Sequence, residues 1–168
     1  MTRIHSFPPV IDGGCRTLIL GTMPSVKSLE AAFYYAHPRN AFWPIMARLL
    51  GEDAPITIAD KKAMLLRHGA ALWDTAASCE REGSLDAAMR DVVLNDVGAL
   101  LEKYPHIDRI VLNGGTAFKL FSKMHIERAG LEAVRLPSTS PACTLPLEKK
   151  LEAWQRAFAG RTERMNAK

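Results

Sequence analysis

Thr17-Leu18-Ile19-Leu20-Gly21-Thr22-Met23-Pro24-Ser25 decides the fold class of this 168-residue chain. A short, almost wholly apolar run stops at glycine and gives way to turn chemistry. Strands buried on both faces, as in parallel sheets, read this way. Three more runs follow the same pattern. Ala70-Ala71-Leu72-Trp73 stops at Asp74, Arg109-Ile110-Val111-Leu112 at Asn113-Gly114-Gly115, and Ala133-Val134-Arg135-Leu136 at Pro137.

Helical patterns fill the gaps. Ala41 to Leu50 sets Phe42, Ile45, Met46 and Leu49 on one face. Ile58 to His68 is closed by Gly69, a helix-ending residue. Val92 to Tyr104 reads as a helix ending before Pro105, and Thr116 to Met124 as another. Leu147 to Phe158 carries a stripe of Leu147, Leu151, Trp154 and Phe158. Strands alternating with helices predict an α/β protein, with a central, mainly parallel four-stranded sheet between helical layers. One domain over residues 1–160 is expected, followed by a flexible basic tail at 161–168.

The wider composition narrows the class. Hydrophobic residues make up 48% and charged residues 24%, which excludes a disordered or fibrous chain. No apolar run approaches the length of a membrane span, and residues 1–10 lack the apolar centre of a secretory leader. Cys15, Cys79 and Cys143 are widely spaced, and the five histidines form no HxxxH or HxH pair. Neither a disulfide framework nor a metal site is expected, and the protein reads as reduced and cytoplasmic. The charge is uneven. Residues 1–100 hold 10 basic and 11 acidic side chains, a net of −1, while residues 101–168 hold 12 and 7, a net of +5. A basic half fits a polyanionic partner such as nucleic acid.

Ligands of open α/β sheets bind beyond the carboxyl ends of the strands. Here those ends carry Gly21-Thr22-Met23, Trp73-Asp74, Asn113-Gly114-Gly115 and Pro137-Ser138-Thr139-Ser140, with Tyr35, His37 and Asn40 on the loop after the first strand. Aromatics, amides and hydroxyls dominate. Such a set suits a flat polar ring, stacked on an aromatic such as Tyr35 and read at its edge by an amide such as Asn113. A P-loop, GxGxxG and GxSxG are all absent, so ATP, NAD and serine-hydrolase chemistry are not expected.

The stretch Leu20-Gly21-Thr22-Met23-Pro24-Ser25, continued by Tyr35-Ala36-His37-Pro38-Arg39-Asn40-Ala41-Phe42-Trp43, resembles the first motif region of the uracil-DNA glycosylase superfamily. It is most like the mismatch-specific and hypoxanthine (deoxyinosine) branches. Leu136-Pro137-Ser138-Thr139-Ser140-Pro141-Ala142 resembles the second motif, which contacts phosphates and penetrates the duplex. Ala71-Leu72-Trp73-Asp74 with Ser78-Cys79-Glu80-Arg81-Glu82-Gly83-Ser84 is similar to the hypoxanthine branch in particular. The resemblance spans residues 15–158. It implies a three-layer α/β/α fold and hydrolysis of the N-glycosidic bond of a flipped, deaminated base, with no cofactor or metal. The implied partner is single- or double-stranded DNA; a monomer is the expectation from chain size alone. Uracil or mismatch-specific excision, and a non-catalytic DNA-binding module, are the alternatives.

Two departures bear on chemistry. Many members carry Asp or Asn at the place of Met23, and His at the place of Leu136. The resemblance therefore puts the catalytic role on Asn40, acting by positioning water, since an amide is a poor base. It puts base binding on Gly21, Thr22, Met23, Tyr35, Trp73, Asp74 and Asn113, and DNA contacts on His37, Ser138, Thr139 and Ser140. Each has a plainer reading. Asn40 stands where it would cap the Ala41 helix, Asn113 would serve an Asn-Gly turn, and Trp73 would be a core aromatic. Lys149, Lys150 and Arg156, with Arg161 and Arg164, form either a DNA-facing flank or a solvated helix face. No lysine is placed for Schiff-base chemistry, so a monofunctional enzyme is expected.

Overall fold

The computed structural model describes the backbone of residues 2–166 and side chains of residues 2–158. In chain order the elements are β1 (Arg3–His5), β2 (Thr17–Gly21), α1 (Val26–Ala31), α2 (Phe42–Leu50), α3 (Ile58–Arg67), β3 (Ala70–Asp74) and β4 (Ala76–Glu80). Then come β5 (Arg90–Leu94), α4 (Val97–Lys103), β6 (Arg109–Asn113), α5 (Gly115–Ser122), β7 (Glu132–Leu136) and α6 (Leu147–Asn166).

The four expected strands form one parallel sheet in the order β3-β2-β6-β7. Every residue of β2 and β6 is buried, which explains the apolar run at the centre of each. Alternate side chains serve opposite layers. Ile19, Leu72 and Val111 pack with Phe42, Met46, Met64 and Trp154 of α2, α3 and α6. Leu18, Leu20, Ala71, Ile110 and Leu112 pack with Val97, Leu101, Ala117 and Phe121 of α4 and α5. This is the three-layer α/β/α arrangement. The chain leaves β2 for β3 on one side and later returns to β6 on the other. The switch point of the sheet therefore lies between β2 and β6, where Leu20 pairs with Leu112.

Helix ends follow local chemistry. Thr57 and Asp60 build a reciprocal capping box on α3. Gly69 turns the chain into β3 at a φ of 70°, a left-handed conformation that favours glycine.

Three expectations are corrected. Val92–Tyr104 is not one helix: β5 ends at Leu94, and α4 begins after Asp96, whose side chain accepts the Ala99 N–H at 3.0 Å. Asn95 breaks the run by donating to the carbonyl oxygens of Asp74 (2.8 Å) and Ala76 (3.3 Å). Second, β5 and β1 flank β4 in a small antiparallel sheet that the sequence reading did not contain. Third, α6 continues past Phe158 to Asn166, and the side chains of the expected basic tail lie outside the described residues. No helix among the described residues is long and apolar enough to cross a membrane.

Candidate active site

A cavity of about 470 Å³ opens at the carboxyl ends of β2, β3 and β6. Gly21, Thr22, Met23, Tyr35, His37, Asn40, Asp74, Asn113, Ser138, Thr139 and Ser140 all line it. Eleven side chains or backbones named from sequence thus converge on one space. The twelfth, Trp73, does not. Strand alternation turns it away from Asp74, and its indole N–H donates to the Phe7 carbonyl at 3.2 Å. Trp73 packs among the α4–α5 layer and does not line the cavity.

The loop after β2 is held from within. Ser25 caps α1 through the Ser28 N–H, and the Ser28 hydroxyl accepts the Ala36 N–H at 3.1 Å. Between these anchors Tyr35 adopts a φ of 53°, uncommon for a bulky side chain. Its ring lies on Phe42, centroids 4.1 Å apart and planes at 26°. Its hydroxyl is buried and has no hydrogen-bond partner among the described residues. Burial pushes the Tyr35 phenol well above the usual range, with the negative charge of Asp74 adding to the effect.

Asn40 stands just before α2. Its Oδ1 accepts the Phe42 N–H at 3.0 Å, while Ala41 occupies the cap position itself. The Ala41 N–H reaches across to the Thr139 carbonyl at 3.0 Å. One amide thus starts the helix and faces the cavity, so the capping and site readings coincide. His37 Nδ1 accepts the Arg39 N–H at 3.0 Å, and the His37 carbonyl accepts the Asn40 N–H at 2.9 Å.

Asn113 and Thr139 form a reciprocal pair. Asn113 Nδ2 donates to Thr139 Oγ1, and Thr139 N–H donates to Asn113 Oδ1, both at 3.0 Å. One N–H and one lone pair of the amide expected to read a base are therefore engaged, and one of each remains. Thr139 is fully buried, so its hydroxyl is not a phosphate contact but a clamp. Ser138 and Ser140 remain half-buried at the cavity, each also accepting an N–H two residues ahead, from Ser140 and Ala142. Gly114, at a φ of 100°, leaves room for this loop: a Cβ there would lie 3.0 Å from the Ser138 Cβ. Lys150 is likewise not a DNA-facing cation. It is buried, and its ammonium donates to the Ser140 carbonyl at 3.0 Å. Lys149 and Arg156 both pair with Glu152 on the exposed face of α6.

Asp74 lies at the cavity wall, 3% exposed. The Ser6 hydroxyl donates to its Oδ2 at 2.7 Å. Burial pushes its carboxyl up to about 7, opposed by the Ser6 bond and reinforced by the charge of Asp86. Gly21 is a forced choice between these groups. A Cβ there would sit 2.5 Å from the Tyr35 hydroxyl and 2.7 Å from Asp74 Oδ1.

The site residues named from sequence did not include Ser84, Leu85 and Asp86, which form one wall from the β4–β5 connection, nor Ser25, Ser28 and Tyr34, which also line the cavity. Buried Arg81 ties that connection in place by donating to the carbonyls of Pro24 and Gly83. The Ser78–Ser84 resemblance was the available signal for this wall. Nothing in the local sequence marked Ser6 or Asp86. Among the described residues, no group of three or more His, Cys, Asp or Glu side chains is placed to hold a metal ion.

Residues 8–159 match the Uracil DNA glycosylase superfamily, and the chain belongs to that family. Two curated relatives match over 155 residues, 92% of this chain and 97% of theirs. Both carry the name Hypoxanthine DNA glycosylase, one from Methanosarcina barkeri at 31% identity and one from Methanosarcina acetivorans at 33%. A solution NMR structure of a protein from Methanosarcina acetivorans superposes with a TM-score of 0.81 at 30% identity, covering 94% of this chain and 97% of that one.

Proposed function

We propose that this protein is a monofunctional DNA glycosylase that hydrolyses the N-glycosidic bond of deoxyinosine, acting as a cytoplasmic monomer on DNA and releasing hypoxanthine, with uracil as a lesser substrate. The observation that carries the reading is Asn40, whose carboxamide faces the strand-end cavity with its carbonyl oriented by the Phe42 N–H. The names and near-complete coverage of the two curated relatives support the choice of hypoxanthine.

The chemistry suits these residues. The target nucleotide leaves the stack, because its reacting atoms are hidden inside the duplex. The cavity has the volume of a small-molecule site and takes a bicyclic base with its sugar. Tyr35, backed by Phe42, is the stacking platform. As the bond from C1′ to the base breaks, positive charge grows on the sugar and negative charge on the base. The remaining lone pair of Asn40 Oδ1 accepts a hydrogen bond from the attacking water and aims its oxygen at C1′; as the C1′–O bond forms and the C1′–N bond breaks, the proton that water sheds passes to the departing base. This is positioning rather than proton abstraction, because an amide carbonyl has negligible basicity. Ser138 and Ser140 present hydroxyls to the flanking phosphates.

The test is base release from duplexes containing deoxyinosine, deoxyuridine or no lesion, read as strand cleavage after alkali. Release from inosine duplexes, lost about a hundredfold in a folded Asn40→Ala variant, is the expected result and corresponds to about 2.7 kcal/mol. Binding without any release overturns the glycosylase reading in favour of a DNA-binding module. Release of uracil alone overturns the substrate.

A further inference from the structure

We infer that Asp74 is the group that tells a deaminated base from its parent, its free Oδ1 accepting the ring N–H that deamination creates. The inference rests on the glycosylase reading above and names the specificity determinant of that same cavity.

Deamination of adenine does two things. It exchanges the 6-amino donor for a 6-oxo acceptor, and it places a hydrogen on N1, which in adenine is a bare acceptor. Cytosine becoming uracil gains a hydrogen on N3 in the same way. A fixed acceptor on the cavity wall therefore welcomes the product and repels the parent, whose lone pair would face another lone pair. A site built to bond such a group rejects the analogue lacking it far more strongly than an apolar pocket rejects a small change in shape.

The cavity has few groups able to do this. Asn113 gives Thr139 one N–H and one lone pair and keeps one of each, so its amide offers a donor as well as an acceptor and serves either base pattern. The Tyr35 hydroxyl is sealed from the cavity space. Asn40 Oδ1 is aimed by the start of α2. Of the two carboxylates that line the cavity, Asp86 lies on the exposed β4–β5 connection, whereas Asp74 is fixed in the wall: Ser6 takes Oδ2, while Oδ1 makes no hydrogen bond to any described residue. The carboxyl is also held firmly. Its own carbonyl accepts from Asn95, and β3 is paired along its whole length with β2.

Its charge state is set from several sides. Ser6, after β1, donates to it. Arg81, after β4, favours the carboxylate, whereas Asp86 on the β4–β5 connection opposes it. Tyr34 and Tyr35 flank it from the α1–α2 loop, and its charge acts on both phenols. The carboxylate is the stronger acceptor for a ring N–H. The neutral acid is a donor that would welcome adenine instead.

Single-turnover release of hypoxanthine and adenine, from duplexes carrying deoxyinosine or deoxyadenosine, tests the role between pH 5.5 and 8. The wild-type inosine-over-adenine preference should rise with pH through about 7. Asp74→Asn should slow inosine release about tenfold or more at pH 8 and flatten the profile. Ser6→Ala removes a bond that favours the carboxylate, so it should move the rise to higher pH while keeping the plateau. This second variant decides the matter if Asp74→Asn does not fold. An Asp74→Asn enzyme with inosine rate and profile unchanged overturns the role, as does a uniform loss with the profile intact. Wild-type protein that releases no hypoxanthine at any pH overturns the glycosylase reading, and the role of Asp74 with it.

Discussion

Replacing Asn113 with alanine removes two hydrogen bonds in one step, at a point where β6 meets the loop that carries Ser138, Thr139 and Ser140. Each such bond contributes about 1 kcal/mol net to stability. The larger effect is what remains. Thr139 is fully buried, so its N–H and hydroxyl are left without partners in a site that water does not reach. An orphaned buried donor costs about 1–3 kcal/mol. The expected loss is therefore about 3 kcal/mol, a large share of the 5–15 kcal/mol available to a domain. The same change releases the Thr139 carbonyl, which receives the Ala41 N–H beside Asn40. Catalysis should suffer beyond the stability loss, because Asn40 acts through its position. Urea unfolding, with inosine release measured well below the transition, separates the two effects. A loss under 1 kcal/mol would mean that the Asn113–Thr139 pair is not a clamp. Full stability with lost base selectivity would return Asn113 to the role of base reader.

Three further outcomes follow from particular contacts. Gly21→Ala sets a methyl 2.5 Å from the Tyr35 hydroxyl and 2.7 Å from Asp74 Oδ1, so it should cost about 1–3 kcal/mol in urea unfolding; Tyr35→Phe, which deletes an unpartnered buried hydroxyl, should be neutral or stabilising alone and should recover part of that cost in the double variant. Folding raises the Asp74 carboxyl from 3.8 to about 7, so the folded state holds this proton more tightly than the unfolded chain. The stability it contributes is complete below about pH 4 and is lost as pH rises through about 7, so Asp74→Asn should gain on wild type by as much as roughly 4 kcal/mol between pH 4 and 8 in urea titrations. Lys150→Met should destabilise the Ser140 loop yet leave the salt dependence of DNA affinity unchanged, since a buried ammonium bound to a carbonyl neutralises no phosphate; a slope reduced by about one would place Lys150 on the DNA.

The legible part of this molecule is the part made by neighbours in sequence. Thr17–Gly21 reads as a buried strand because both of its faces are apolar, and a parallel sheet is where such strands reside. Each strand end announces itself by glycine, Asx or proline, and the rule that ligands gather there, together with the family resemblance that singled out Tyr35, His37 and Asn40, pointed to eleven cavity residues. Val92–Tyr104 failed as a single helix because Val92-Val93 suits a strand as well as a helix. The pairing of β5 with β4, which decides the matter, involves partners such as Glu80 and Ala76 that lie outside the run itself.

What stayed hidden is which polar groups are free. Asn113 and Asp74 look equally able to meet a base when read along the chain. Asn113 is clamped at both ends by a partner 26 residues away, while Asp74 keeps one oxygen open because its partner, Ser6, 68 residues distant, takes only the other. Lys150 looks like any surface lysine until the packing of α6 buries it beneath the Ser140 carbonyl. Periodicity and turn chemistry record the environment of a residue averaged over its immediate neighbours. The pairing of individual donors and acceptors is settled by contacts between distant segments, and those exist only once the sheet and its helical layers have closed around them.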